Sequence, residues 1–317
     1  MALLSASISI SQLLAANPQI STNGNVNIID TGGNNSERIA LCYLPYLFPF
    51  TTGDGTPSND IGQYEGLAAI FLAMEHLNTG NGELVPELNG INQRCPLRFT
   101  TKAFDTEMQQ RVGVNHIITL TDRSRTQELL PSAILGASGS RVSIPTSIIS
   151  SLRGFPQISP ISTSAALDDT SQYKLFGRTI PNDDGTAIPL VAKLTSWNVR
   201  YIAVLHVDDA YGNAFAKGIR LAAQRDAPDL RVETVQITFG ADDGTISDAI
   251  RQLKQTGFTF FFGIVFPQEF TDKIMTEAYN QGIAGTGRHT WLFSDAVGSS
   301  VTGRGFPLGS KLEKVKI

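Results

Sequence analysis

Three polar clusters hold the side chains that could do chemistry. The first is Gly136-Ala137-Ser138-Gly139-Ser140, a glycine-bearing turn between an apolar run and a helical pattern. Its backbone N–H groups and the Ser140 hydroxyl could cradle an anion, but taken alone an ordinary serine-capped turn is the plainer reading. The second, Ser162-Thr163-Ser164, ends the next apolar run, so it belongs on the same sheet rim as Ser140; loop serines that satisfy nearby backbone groups are its plain reading. The third is Asp208-Asp209, after YIAVLHV. Adjacent residues point in different directions and an Asp at a strand end commonly caps the next helix, so a cap is expected there rather than a metal or acid/base pair. Catalytic groupings are missing from the sequence: His76, His116, His206 and His289 are scattered, and there is no H-E-x-x-H, no G-x-S-x-G and no Cys/His pair at metal spacing. The first cluster lacks the third glycine of a dinucleotide fingerprint, and no G-x-x-x-x-G-K-[ST] occurs. The sequence points to no catalytic residue, no metal, no cofactor and no enzyme.

The elements around these clusters alternate short β-branched or aromatic runs with helical patterns, the order of βαβ units on parallel sheets. Strands are expected at 38–47, 97–103, 133–136 and 156–159, then at 201–207, 232–238, 258–265 and 290–293. Leu67, Ile70, Phe71, Met74 and Leu77 predict a helix from about Gln63 with its apolar stripe on the sheet. Further helices are expected at 142–152, 184–196, 212–224, 245–255 and 268–281. The run FTFFFGIVF is apolar throughout, as a central parallel strand covered on both faces must be. The fold class is therefore α/β with two Rossmann-like lobes, and ligands in such sheets bind outside the carboxyl ends of the strands. The expected division is a flexible arm at 1–37, lobe 1 at 38–180, lobe 2 at 181–300 and a tail at 301–317, with a cleft between the lobes as the default site.

The chain has 317 residues, enough for two compact units, and 25 Lys and Arg against 29 Asp and Glu give a net charge of −4. That balance excludes a protein built to neutralise nucleic-acid phosphates. Hydrophobic residues at 41% and charged residues at 17% exclude general disorder, and no apolar stretch reaches the length of a membrane span, so the chain itself is expected to be soluble. Met1–Ala16 has no Lys or Arg and reads as a degraded leader; residues 17–37 read as the flexible arm, with an N-x-[ST] sequon at Asn34. Cys42 and Cys95 permit one bridge at most, and two free, buried thiols are expected.

The order GASGSRVSIPTSIISSLRGFPQISPISTSAALDD, LFGRTIPNDD, LTSWNVRYIAVLHVDDAYGNAFAKGIRLAA resembles the type I periplasmic-binding-protein (Venus-flytrap) fold, in the form of the extracellular ligand-binding region of class C G-protein-coupled receptors. Metabotropic glutamate and GABA-B receptors are the nearest look-alikes, over about Arg38 to Gly298, with YEGLAAIFLAMEHLN and WLFSDAVG adding to the match. The resemblance implies a small amino-acid-like ligand, an extracellular location in the full-length protein, and membrane attachment through regions outside this chain. It also implies pairing of lobe 1 as a homo- or heterodimer. By the same resemblance Ser140, Ser162 and Thr163 hold the ligand's α-carboxylate and α-amino groups, and Asp183, Tyr211 and Asp295 complete the site. The residue types suit this: an ammonium takes carboxylate, hydroxyl or aromatic-face partners, and a carboxylate takes donors.

Departures accompany the likeness. The positions that grip glutamate's distal carboxylate align with Gly62 and Gly66, the GABA-B tyrosine aligns with Phe266, and Arg141 and Pro160-Ile161 replace small or hydroxyl residues. A soluble amino-acid-binding protein of a transport system, or an α/β enzyme using the same cleft, remains the alternative. The resemblance further implies that the domain is incomplete at its C-terminus, because nothing after Gly298 matches the family's return to lobe 1.

Overall fold

The computed structural model describes residues 19–30, 38–51, 53, 55–58, 61–95, 97–124, 128–266 and 268–297. The leader-like stretch, the sequon Asn34 and the 301–317 tail lie outside them. By contact density the chain separates into two compact units, with divisions at Ser162/Thr163, Asp168/Asp169 and Thr179/Ile180.

The first unit holds strands β1 (Gln19–Asn23), β2 (Val26–Asp30), β3 (Arg38–Tyr43), β4 (Tyr46–Phe48), β5 (Leu97–Thr100), β6 (Ala103–Asp105), β7 (Ile134–Gly136), β8 (Gln157–Ser159) and β9 (Phe176–Arg178). They form one sheet in the order β1-β2-β3-β5 and a second in the order β6-β4-β7-β8-β9, parallel throughout. The expected strand 38–47 is thus two strands, broken at Pro45, which has no N–H to give a ladder. Pairing resumes on either side of it: the Leu44 N–H donates to Thr100 O and the Tyr46 N–H to Lys102 O, each at 2.9 Å. The expected strand 97–103 divides at the facing position for the same reason. β9 falls where a plain connection was expected.

The flexible arm is a correction over its described part. Residues 19–30 are a hairpin, and β2 pairs antiparallel with β3. Asn23-Gly24 is a strong hairpin signal, with Gly24 at φ 61°, and the Asn-rich composition concealed it. Asn27 and Ile29 point to the inside and are fully buried. The Asn27 side chain accepts from the Leu130 N–H at 2.9 Å and donates to the carbonyls of Leu130 and Leu41 at 2.9 and 3.3 Å. Asn27→Leu leaves buried backbone groups unpaired, and a denaturant melt is expected to register a loss of about 2–3 kcal/mol.

Helix Ile61–Thr79 forms as expected, but Phe71 is 53% exposed while Met74 is buried. At 3.6 residues per turn Phe71 lies roughly 80° from the centre of the stripe made by Leu67, Ile70, Met74 and Leu77, so it falls at the margin. Tyr64 and Leu72 are exposed on the same helix. Cys42 is buried within β3, Cys95 is half-buried, and no disulfide joins them.

The second unit is one parallel sheet, β11 (Arg231–Ile237), β10 (Tyr201–Val207), β12 (Phe260–Ile264) and β13 (Thr290–Phe293), in that order. β12 takes the Phe-rich run and lies between two neighbours, as its continuous apolarity requires. Helix Asp243–Gln255 shows how the sheet is covered: Ile246, Ala249, Ile250 and Leu253 fall on one buried face, and Asp242 caps it by accepting from the Thr245 N–H at 2.8 Å. Fully buried Phe215, Phe261 and Trp291 anchor the core of this unit. Among the described residues no helix is long and apolar enough to cross a membrane.

Candidate functional site

In the first unit, β7 delivers the chain to the Ala137–Gly139 loop and helix Ser140–Leu152. Gly136 makes this possible: its φ of 107° is one that side chains disfavour, and a Cβ there would collide with the Leu47 carbonyl of β4. Beyond it, one backbone oxygen gathers three hydroxyls. The Ala137 carbonyl accepts from Ser159 Oγ at 2.7 Å and from Ser143 Oγ and Ser162 Oγ at 3.1 Å. Ser162 Oγ also lies 2.8 Å from Ser143 Oγ, and its carbonyl accepts from Arg178. The Ser162 hydroxyl therefore braces two loops against each other from a buried position. Ser140 opens the helix and is also buried. The side-chain oxygen of Ser138, 5% exposed, has no hydrogen-bond partner among the described residues. Ser138 lies in the same glycine-bearing turn, two residues before Ser140, and residue type alone does not distinguish the two.

In the second unit, the Thr163 carbonyl accepts from the Asp183 N–H at 2.9 Å, and Ser164 Oγ donates to the Ala210 carbonyl at 2.9 Å. Both neighbours of Ser162 on this side are thus tied to the elements bearing Asp183 and Tyr211. Asp183 stands at the start of helix Asp184–Ser196, 3% exposed, yet its side chain makes no capping hydrogen bond. Asp209 does cap: its Oδ1 accepts from the N–H groups of Tyr211 and Gly212 at 3.0 and 2.9 Å, as expected for an Asp after a strand. Gly212 lets helix Ala210–Asp226 approach β10, because a Cβ there would strike the Val207 carbonyl.

Tyr211 is 7% exposed, edge-on to Phe266 with centroids 5.7 Å apart and tilted against Phe215 at 6.1 Å. Its hydroxyl lies near that of Ser294 without completing a hydrogen bond of ordinary geometry. Burial pushes the phenol well above its usual pKa; Ser294 pulls it down, and the carboxylates of Asp183, Asp295 and Asp209 push it up further. Asp295 opens a single 3-10 turn after β13 and is exposed. The result is two buried hydroxyls in a field of negative charge, an environment that stabilises a cationic group able to donate hydrogen bonds. Ser294 directly precedes Asp295 in WLFSDAVG, where the charged neighbour carries the stronger sequence signal. No group of three or more His, Cys, Asp or Glu side chains suited to a metal ion occurs among the described residues.

Residues 65–306 match the receptor family ligand binding region, a span that runs through both units. The chain belongs to this receptor ligand-binding family. It is 30% identical over 170 residues to metabotropic glutamate receptor 4 of Macaca fascicularis, covering 53% of this chain and 18% of that receptor. It is 29% identical over 224 residues to a metabotropic glutamate receptor of Drosophila melanogaster, covering 66% and 23%. It is 25% identical over 243 residues to the extracellular calcium-sensing receptor of Mus musculus, covering 75% and 22%. The chain thus spans about a fifth of the length of these relatives. The receptor ligand-binding region is an α/β, periplasmic-binding-protein-like fold of class C type, and its relatives are receptors rather than enzymes.

Among the six expected site residues, Asp183 and Asp295 both raise the pKa of the Tyr211 phenol, and the Thr163 carbonyl accepts from the Asp183 backbone N–H. Ser140 and Ser162 fall in the other unit, with the division directly after Ser162. Gly66 packs so closely that a Cβ would meet the Tyr46 hydroxyl at 2.6 Å.

Proposed function

We propose that this chain is the extracellular ligand-binding part of a receptor that holds a small amino acid or close analogue and closes on it. The observation that carries this reading is the buried Tyr211 and Ser294 hydroxyl pair under the influence of Asp183, Asp209 and Asp295. Asp183 and Asp295 accept from the ligand's α-ammonium, the Tyr211 ring faces it, and Thr163 supplies a hydroxyl. The α-carboxylate takes its donors from the Ser138–Ser140 turn, where the helix start leaves backbone N–H groups and Ser138 offers an unused hydroxyl. Ser162 positions that turn. The two lobes, 38–180 and 181–300, then close around the ligand as a hinged clamp.

With glycine at both Gly62 and Gly66, a second carboxylate has no partner from those positions, which favours a ligand with a small or uncharged side chain over glutamate. Exposed Tyr64, Phe71 and Leu72 on helix Ile61–Thr79 support pairing through lobe 1. Membrane attachment belongs to parts of the receptor outside this chain.

The test is a thermal-shift screen of the purified chain against the common α-amino acids and GABA. A ligand that binds the folded form raises the melting temperature by mass action, with saturable dependence on its concentration. No shift with any amino acid sinks the reading; a shift with GABA alone transfers the site to a ligand without an α-carboxylate.

A further inference from the structure

Helix Ala210–Asp226 has a second polar face, turned away from Tyr211. Asn213, Lys217 and Arg220 recur on it at helical spacing and, with His206 of β10, Gln236 of β11 and Gln252 of helix Asp243–Gln255, line an open surface groove of about 570 Å³ in which His206 alone of these six is buried. This lies within the size range of small-ligand sites and shares no lining residue with the Tyr211 site. His206 and Gln236 are direct partners in the β10–β11 register. Asn213 is fixed from both ends: its Nδ2 donates to Asp208 Oδ1 and its Oδ1 accepts from Gln236 Nε2, each at 3.0 Å. The nearby Asp208 carboxylate is thereby turned onto Asn213.

Lys217 and Arg220 have no ion-pair or hydrogen-bond partner among the described residues. They stand three residues apart on one helix face, where like charges repel. His206 is buried, with Nδ1 3.2 Å from the Val207 carbonyl. Burial holds its pKa below the ordinary histidine value; Arg220 adds to this, while the Val207 carbonyl, Asp208 and Asp209 oppose it. The groove presents two exposed cations, amide donors and no lining carboxylate, a surface that attracts anions.

We propose that this groove binds a tetrahedral oxyanion, a phosphate or sulfate group, at a site separate from the amino-acid site. The Arg220 guanidinium provides a planar fork that matches two oxygens of such a group, Lys217 provides a point charge, and Gln236 and Gln252 provide amide N–H donors. The proposal stands whether or not the amino-acid reading does, because it uses none of the same residues.

The experiment is calorimetric titration of the 317-residue chain with inorganic phosphate and, separately, inorganic sulfate at constant ionic strength. The expected result is saturable binding at one site. The double variant Lys217→Gln/Arg220→Gln should weaken it at least about 10-fold, because charge-assisted hydrogen bonds of this kind are lost. Arg225→Gln, on the same helix but paired with Asp226, should leave it unchanged. Phosphate should also shift the His206 ring resonances, a readout that needs no variant. Equal binding of both anions identifies a general oxyanion site, and preference for one identifies the group. The absence of saturable binding, an unmoved His206, or equal weakening in Arg225→Gln would overturn the proposal.

Discussion

Asp183→Asn is expected to weaken binding of the amino acid selected by the thermal screen by about 10- to 100-fold, and Asp295→Asn by only a few-fold. The difference follows from burial. Asp183 is almost wholly enclosed, and a charge-assisted hydrogen bond in such surroundings is worth roughly 1.5–3 kcal/mol. Asp295 is exposed, where solvent reduces an ion pair to about 0–1 kcal/mol. Neither substitution removes a helix cap: Asp183 makes no capping bond with its side chain, and the cap of the Tyr211 helix belongs to Asp209. Calorimetry on each variant, read beside its own ligand-free melt, separates the two. Unchanged affinity in both would remove these two aspartates from the site.

Gly136→Ala is expected to be the most damaging single methyl in the first unit. Gly136 is at φ 107° and its Cβ would overlap the Leu47 carbonyl of the neighbouring strand, so strain and collision act together. The cost should exceed about 3 kcal/mol, beyond the usual range for one substitution. The displaced atom that follows is the Ala137 carbonyl, on which Ser143, Ser159 and Ser162 converge, so the hydroxyl brace should fail with it. Urea unfolding of the variant should show the first unit lost at lower denaturant. The second unit, whose core contains none of these residues, should keep its transition. A melt superimposable on the wild type would mean that the β4–β7 contact does not constrain this turn.

Much of the second unit was legible because its signals agree across levels. FTFFFGIVF could be satisfied only by a strand covered on both faces, and Asp209 follows its strand at the position where a cap is needed. The first unit was harder to read because its decisive features are local interruptions. Pro45 ends one strand and begins the next without a change in composition, and the Asn23-Gly24 turn lies in a polar stretch that resembles a linker. Phe71 fits a helical repeat by spacing and misses its face by angle. At the site, residue types identified the hydroxyl loops but could not say which hydroxyl was already engaged. Ser162 proved to be a brace, while Ser138 and Ser294, two and one positions from the residues singled out, carry the hydroxyls without completed hydrogen bonds. Hydrogen-bond bookkeeping of this kind depends on partners distant in sequence, such as Ser143 for Ser162.

The most direct test of the account is a paired melt of the 317-residue chain with an α-amino acid that the screen selects and with its 2-hydroxy analogue, which keeps the carboxylate and side chain and replaces the ammonium by a hydroxyl. If the Tyr211 corner exists to hold an ammonium, the amino acid raises the melting temperature in a saturable way and the hydroxy acid at the same concentration does not. Equal stabilisation by the two would show that the negative field around Tyr211 takes no part in recognition, and would contradict the central claim.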